Sequence, residues 1–335
     1  MPLSNAADIA VLVPTYRRPR DLERCLRALQ AQVFHASQIL VVARRDDRES
    51  WDVLDAFARD MPALQGVVVD SPGLVHALNS GIVRVRTPLL AVTDDDAAPR
   101  PDWLKRIVAH FEAEGAVAGV GGRDWIHRGD AIEEGRASVV GKLPSIGSQV
   151  GNHHLGFGAA RYVDVIKGAN CAYRIEPLRA GGGFDERLRG SGAQAYSEIG
   201  VGLRLKKAGW RLIYDPRVAV DHYLGIVFGE DVHRAGKFVA AVQRNEAHNE
   251  GLARLEFLKP ELRPLFIAWA LLVGTRANPG LIQGFRFLLR DGWRSLERTL
   301  SAALGYLVAF RPVGLRSSTG PPPLIQLSDF EPAAR

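Results

Sequence analysis

The sequence predicts an α/β fold, a mainly parallel β-sheet with helices on both faces, followed by a C-terminal helical region. Three observations predict it. Short apolar runs alternate with amphipathic stretches between residues 9 and 93, a βαβαβαβ order whose right-handed crossovers build a parallel sheet. The 335-residue chain is 47% hydrophobic, enough for a sizeable core and unlike a disordered chain. The short uncharged run Leu89-Leu90-Ala91-Val92-Thr93 leads directly into Asp94-Asp95-Asp96. Ligands in open α/β sheets bind beyond the carboxyl ends of the strands. Three adjacent carboxylates repel one another unless a cation joins them. Hard divalent ions take carboxylate oxygens together with substrate phosphates. The triplet therefore reads as a metal–diphosphate site, the alternative being a solvated acidic turn.

Residues 9–13 make the first strand, which Pro14 ends. After Pro19, Leu22, Cys25, Leu26 and Leu29 recur at i, i+3, i+4 and i+7, an amphipathic helix. Residues 39–42 form a second strand, and Leu54, Phe57, Ala58 and Met61 mark a second helix. A third strand at 67–69 and a third helix at 74–83 precede the central strand at 89–93. Pro99 and Pro101 break the chain after the triplet, and Asp102 can cap a helix whose buried stripe is Leu104, Ile107, Val108 and Phe111. Residues 116–120 read as a strand. Over 121–161 glycine is frequent and periodicity fails, so a long functional loop region is expected. Strands follow at 162–166, 211–214 and 218–220, with a helix at 198–208 stopped by Gly209. Residues 228–310 are helical and rich in Arg among Leu, Phe and Trp, and Gly, Ser and Pro from 311 onward suggest a poorly ordered tail.

The net charge of +6 is spread along the chain without a dense basic run, so no nucleic-acid partner is expected. Anionic substrates or an anionic membrane surface fit that charge equally well. The 2 cysteines, Cys25 and Cys171, make neither a disulfide framework nor a CxxC metal pattern. Residues 1–7 lack the basic and apolar regions of a secretory leader. The longest apolar run, 265–273, falls short of the ~20 residues that span a bilayer. A cytoplasmic protein is expected, with peripheral membrane contact at the cytoplasmic face through the C-terminal helices as one use of their Arg-rimmed apolar patches; packing on the catalytic domain is the other.

Several motifs occur in one order. The first strand ends in Val13-Pro14-Thr15-Tyr16-Arg17, and residues 89–96 join a strand to an acidic triplet. Then come Gly168-Ala169-Asn170 with Arg174, and Gly182-Gly183-Phe184-Asp185-Glu186. Ser197-Glu198 is followed by Leu203-Arg204-Leu205 and Ala208-Gly209-Trp210. Each is weak alone, but jointly and at this spacing they are specific. Over residues 8–225 the chain resembles the family 2 glycosyltransferases, whose fold is GT-A, a Rossmann-like arrangement. The resemblance implies a nucleotide-sugar-binding half at 1–100 and an acceptor-binding half at 101–225, ahead of the helical region at 226–311 and the tail at 312–335.

It further implies inverting, metal-dependent transfer of a sugar from a nucleotide-diphosphate donor to the hydroxyl of a glycan or lipid-linked acceptor, with Mn²⁺ or Mg²⁺ as cofactor. By the family pattern Asp96 is the direct metal ligand, Asp94 holds the ribose or nucleotide, and Asp95 joins the nucleotide site in a role left open. Glu198 matches the position of the general base that deprotonates the acceptor; otherwise it is a first-turn Glu complementing the helix dipole. His222 is either a metal ligand or a structural histidine, with Asp221 placed to orient its ring. Pro14, Thr15, Tyr16 and Arg17 lie where base and diphosphate would sit; Arg17 can grip phosphate, although Arg17 and Arg18 are equally read as solvated. Gly168 and Asn170 would shape the floor between donor and acceptor, and Tyr196 would stack on a sugar or pack on the next helix. The adjacent His153 and His154 suit acceptor contact better than a shared metal.

Two departures from the family pattern stand out. Ser197-Glu198 replaces the usual Glu-Asp, so the base is one methylene longer. The second strand is followed by Ala43-Arg44-Arg45-Asp46-Asp47 without the usual immediate Asp, leaving Asp46 as the candidate base reader and Asp70 as a further nucleotide contact or a turn residue. A nucleotidyltransferase would want a Gly-rich phosphate loop with Lys after the first strand, which is absent. A non-catalytic nucleotide-sugar or glycan-binding module is the other alternative.

Overall fold

A computed structural model describes residues 8–233 and 236–313. Its centre is the predicted sheet. Strands β1 (Ile9–Thr15), β2 (Gln38–Arg44), β3 (Leu64–Val69) and β4 (Leu89–Thr93) lie parallel in the order β3-β2-β1-β4. Successive side chains of a strand face opposite ways. Ala10 and Leu12 of β1 accordingly enter one core cluster, while Ile9, Val11 and Val13 enter the other. The second cluster is covered by α1 (Pro19–Gln30), α2 (Arg48–Phe57) and α4 (Trp103–Ala113) through Leu22, Cys25, Leu26, Leu54, Trp103 and Ile107. The first is covered by α3 (Leu74–Ile82), α5 (Ile175–Ala180) and α6 (Ser197–Lys207) through Val75, Leu78, Leu178 and Leu205. Proline pre-sets the first turn of α1. Asp102 does precede α4, but its carboxylate accepts from Arg106 Nε at 2.6 Å and makes no backbone cap.

Beyond β4 the sheet is mixed, and here the chain departs from the sequence expectation. β6 (Val117–Arg128) continues well into the stretch read as loop. The loop reading failed because Gly121 and Gly122 break the apolar pattern. A Cβ at Gly122 would lie 1.6 Å from the Val218 carbonyl oxygen, so glycine admits the bulge in its neighbour strand. That neighbour, β10 (Arg211–His222), is one strand with a register shift between Asp215 and Ala219, where two short strands were expected. β9 (Asn170–Arg174) runs antiparallel between β4 and β6. Short β8 (Arg161–Val163) pairs with β10, and β7 (Ala131–Ile132) pairs with β6. β5 (Ala97–Pro99) runs antiparallel to β10 with Ala97 opposite His222. That register brings the end of the acidic triplet against the end of β10.

The C-terminal region is helical: α7 (Ala240–Leu255), α8 (Arg263–Leu272), α9 (Leu281–Asp291) and α10 (Arg294–Val313). Ala247, Leu252, Phe266, Ala302, Tyr306 and Ala309 join the first core cluster, so α7, α8 and α10 pack onto the sheet domain. Only Gly284 of α9 is buried. α10 carries helix into the segment read as tail, and residues 314–335, like 1–7, lie outside the described residues. Among the described residues no helix is long and apolar enough to cross a membrane.

Candidate active site

A cleft of about 740 Å³ opens at the C-terminal ends of β1, β2 and β4. Its lining includes Pro14, Thr15 and Tyr16 after β1, Asp94 and Asp96 after β4, Gly168 before β9, Tyr196 and Glu198 at the start of α6, and His222 at the end of β10. The parallel half of the sheet therefore supplies one wall and the antiparallel half the other.

Where the two walls meet, Asp94, Asp96 and His222 each offer a ligand atom within 4.8 Å of the others. His222 Nε2 lies 3.1 Å from Asp96 Oδ1, and its Nδ1 lies 3.7 Å from Asp124 Oδ2. Burial works against a charged imidazole, but Asp124 and Asp96 outweigh it and raise His222 to about 10. Burial likewise works against an ionised Asp96, yet His222 and Arg18 hold its carboxyl well below the usual range. Burial and the neighbouring Asp96 charge push Asp94 upward. Two carboxylates and an imidazole suit Mn²⁺, and the carboxylates suit Mg²⁺. Within the cluster Asp96 Oδ1 is buried without a hydrogen-bond partner, so the site holds anionic capacity that a cation would satisfy. The residues present therefore fit a divalent ion. The residue positioned behind the His222 ring is Asp124; Asp221, read as its orienting partner, pairs instead with Arg100 Nε at 3.1 Å and His127 Nε2 at 2.9 Å.

Glu198, which lines the same cleft, sits in the first turn of α6. Its Oε1 accepts from the Gly168 backbone N–H at 3.1 Å, and its Oε2 from Ser197 Oγ at 3.3 Å. Tyr196 precedes it with φ of +72°, a left-handed conformation costing about 1 kcal/mol or more in a non-glycine residue. Its hydroxyl accepts from Asn278 Nδ2 at 3.1 Å, which anchors the turn to the C-terminal helices. A side pocket of about 320 Å³ adjoins the cleft here, lined by His153, His154 and Asn152 together with Lys167, Tyr196 and Glu198. Glu198 faces both spaces.

The structure does not bring every predicted residue to the cleft. Asn170 is fully buried: Oδ1 accepts from Trp103 Nε1 at 2.8 Å, and Nδ2 donates to the carbonyls of Arg123 and Val218 at 3.2 and 3.0 Å. It ties β9 to its neighbours and has no free group for a sugar. Asp95 is also fully buried, accepting from Thr15 Oγ1 at 2.7 Å and Arg18 Nε at 3.1 Å, so it braces the triplet from behind. Arg17 has φ of +55° and turns to Asp46 at 3.6 Å. Asp46 also accepts from Arg44, and it is Asp47 that reaches back to accept from the Arg17 N–H at 2.6 Å. Asp70 pairs with Arg45 at 2.8 Å in solvent. None of Arg17, Asp46 and Asp70 lines the cleft.

Arg18, Lys167 and Asp124 carry more of the site than the sequence indicated. Arg18 contacts Asp96 Oδ2 at 3.0 Å as well as Asp95. Lys167 lines the same cleft, bound to Asp124, whose charge and hydrogen bond raise the ammonium against burial. The signal for Arg18 was the triplet itself, since buried carboxylates need a compensating cation from the chain.

The family described as "Glycosyltransferase like family 2" matches residues 6–248. A glucosyl-dolichyl phosphate glucuronosyltransferase of Haloferax volcanii is 23% identical over 228 residues, covering 64% of this chain and 69% of that protein. A pre-mycofactocin glycosyltransferase of Mycobacterium tuberculosis is 25% identical over 227 residues, 64% of this chain and 42% of that protein, so the chain spans less than half of that relative's length. Among solved structures, the mannosyltransferase PcManGT of Pyrobaculum calidifontis, in complex with GDP-Man and Mn²⁺, superposes with a TM-score of 0.52 at 18% identity, covering 89% of this chain and 86% of that one. Residues 1–349 of S. aureus TarS, in complex with UDP-GlcNAc, superpose with a TM-score of 0.53 at 15% identity, covering 91% and 92%. At these identities the structural likeness speaks for the fold, GT-A.

Proposed function

This chain belongs to the glycosyltransferase-like family 2, and from that premise we propose that it moves a sugar from a nucleoside-diphosphate donor to an acceptor hydroxyl with inversion, using Mn²⁺ or Mg²⁺ held by Asp94, Asp96 and His222. One observation carries the proposal: a cation-competent cluster, Asp94, Asp96 and His222, and the carboxylate of Glu198 line one cleft together with Lys167. A bound divalent ion would neutralise charge developing on the leaving diphosphate. Tyr16, stacked edge-on with Phe228, and Thr15 border the space for the nucleotide. Glu198 takes the proton of the acceptor hydroxyl as its oxygen bonds to the anomeric carbon and the bond to the diphosphate breaks; such a base contributes ~10²–10⁴-fold. The side pocket behind Glu198 supplies room for the acceptor, a glycan or lipid-linked hydroxyl compound in polysaccharide, glycolipid or other glycoconjugate synthesis.

A thermal-shift panel of nucleoside diphosphates with and without Mn²⁺ tests the donor half. One nucleotide stabilising the protein chiefly when Mn²⁺ is present supports it. No shift with any nucleotide, or shifts indifferent to metal, overturns the metal-linked reading.

A further inference from the structure

The helix α9 does what a core helix does not. Leu281, Ile282, Phe285 and Leu289 fall on one side of it, and all four are exposed, Leu289 at 100% and Phe285 at 65%. At 3.6 residues per turn they span about 100° of arc. Trp293, in the turn leading to α10, is 78% exposed. Soluble monomers rarely leave so many large apolar side chains together in water. The opposite side of α9 is the one that packs: a Cβ at Gly284 would lie 2.3 Å from Thr299 Oγ1 of α10, so glycine lets the two helices close tightly. Among the described residues nothing covers the exposed arc.

Arginines border that arc. Arg286 and Arg290 follow it around the wheel, Arg294 stands beside Trp293, and residues 281–300 hold four arginines, the fourth being Arg298, against Asp291 and Glu297. Arg290 and Arg298 share Asp291 at 2.6 and 3.5 Å. Among the described residues no carboxylate pairs with Arg286 or Arg294. An apolar face of Leu, Ile and Phe with Arg along its margin and Trp at one end is the composition of a helix lying in a lipid interface, and the excess positive charge selects anionic headgroups.

We propose that α9 and Trp293 dock this glycosyltransferase onto an anionic membrane surface, with the apolar arc among the acyl chains and Arg286 and Arg294 at the phosphates. Asn278, three residues before α9, donates to Tyr196 beside Glu198, so the docked face is tied by a short stretch of chain to the acceptor side of the cleft.

Flotation of the full chain with phosphatidylcholine vesicles, with and without phosphatidylglycerol, tests this without recourse to activity. Binding is expected only with the anionic lipid and weakens as salt screens it. Phe285→Asp with Leu289→Asp lowers the partition coefficient about tenfold or more. Arg286→Gln and Arg294→Gln lower it about fivefold each. All four positions are exposed, so unchanged melting temperatures check that the variants fold. Absence of flotation, equal binding to neutral vesicles, or binding indifferent to these substitutions overturns the proposal. So does a dimer in sedimentation that Phe285→Asp with Leu289→Asp splits while vesicles leave the wild type unbound, since a second copy would then be the occupant.

Discussion

The Gly168 N–H donates to Glu198 Oε1, and a Cβ at position 168 would stand 2.7 Å from that same oxygen. The obstructed atom is the end of a flexible side chain, so in Gly168→Ala the carboxylate would move rather than the backbone. Displacement of a reacting group by about 1 Å can cost about 10²-fold. The expected result is a fall in kcat of that order with donor KM and melting temperature nearly unchanged, checked by steady-state kinetics.

Glu198→Gln keeps the shape and removes the basic oxygen. Transfer should fall ~10²–10⁴-fold while nucleotide affinity, measured by calorimetry, stays within a factor of a few. Transfer at the wild-type rate would remove Glu198 from the mechanism.

Metal linkage is readable as stability. An ion at 100 times its dissociation constant stabilises the folded chain by ~2.7 kcal/mol. Mn²⁺ should raise the wild-type melting temperature, and Asp96→Asn and His222→Ala should abolish that rise. A Mn²⁺ shift that survives in both variants would place the ion elsewhere.

Asn170→Ala should act on the fold. It strands the Trp103 indole N–H and the carbonyls of Arg123 and Val218 in a dry interior, each at a cost of ~1–3 kcal/mol. Urea denaturation should show a large loss of stability, with donor affinity unaltered in the fraction that remains folded.

Acid stability has an identifiable source in Asp215, which is 1% exposed. Burial opposes its charge, but hydrogen bonds from His110 and Arg217 hold it well below the ordinary range. A folded value below the unfolded one means that the contribution is present above about pH 3.9 and is lost as pH falls toward the folded value. Asp215→Asn should lower stability at neutral pH and flatten the decline below pH 4 (about the unfolded carboxylate value), followed by denaturant melts across pH.

The parallel strands and their covering helices were legible because each apolar run is short, bounded and followed by a helical stripe, as in Leu22, Cys25, Leu26 and Leu29. The antiparallel half was not. β9 reads Asn-Cys-Ala-Tyr-Arg, without alternation, because both faces of a central strand are buried. The same blindness misassigned Asn170: a polar residue beside a glycine turn looks like a ligand contact until its three hydrogen bonds are seen. Of the candidate site, motif order singles out Asp94 as a nucleotide contact, Asp96 and His222 as metal ligands and Glu198 as the base; the structure brings all four to one cleft, and the pairing of β5 with β10 explains how Asp96 and His222, so distant in sequence, meet. Asp124 stayed hidden because the glycines before it disguised its strand.

Arg18 gives the acidic triplet a resident counter-charge of its own. On the proposed metal-linked reading, removing the divalent ion should therefore idle the protein without unravelling it: a chelator ought to leave a native far-ultraviolet spectrum and an intact melting transition, and returning the ion ought to revive turnover at once, with no refolding delay.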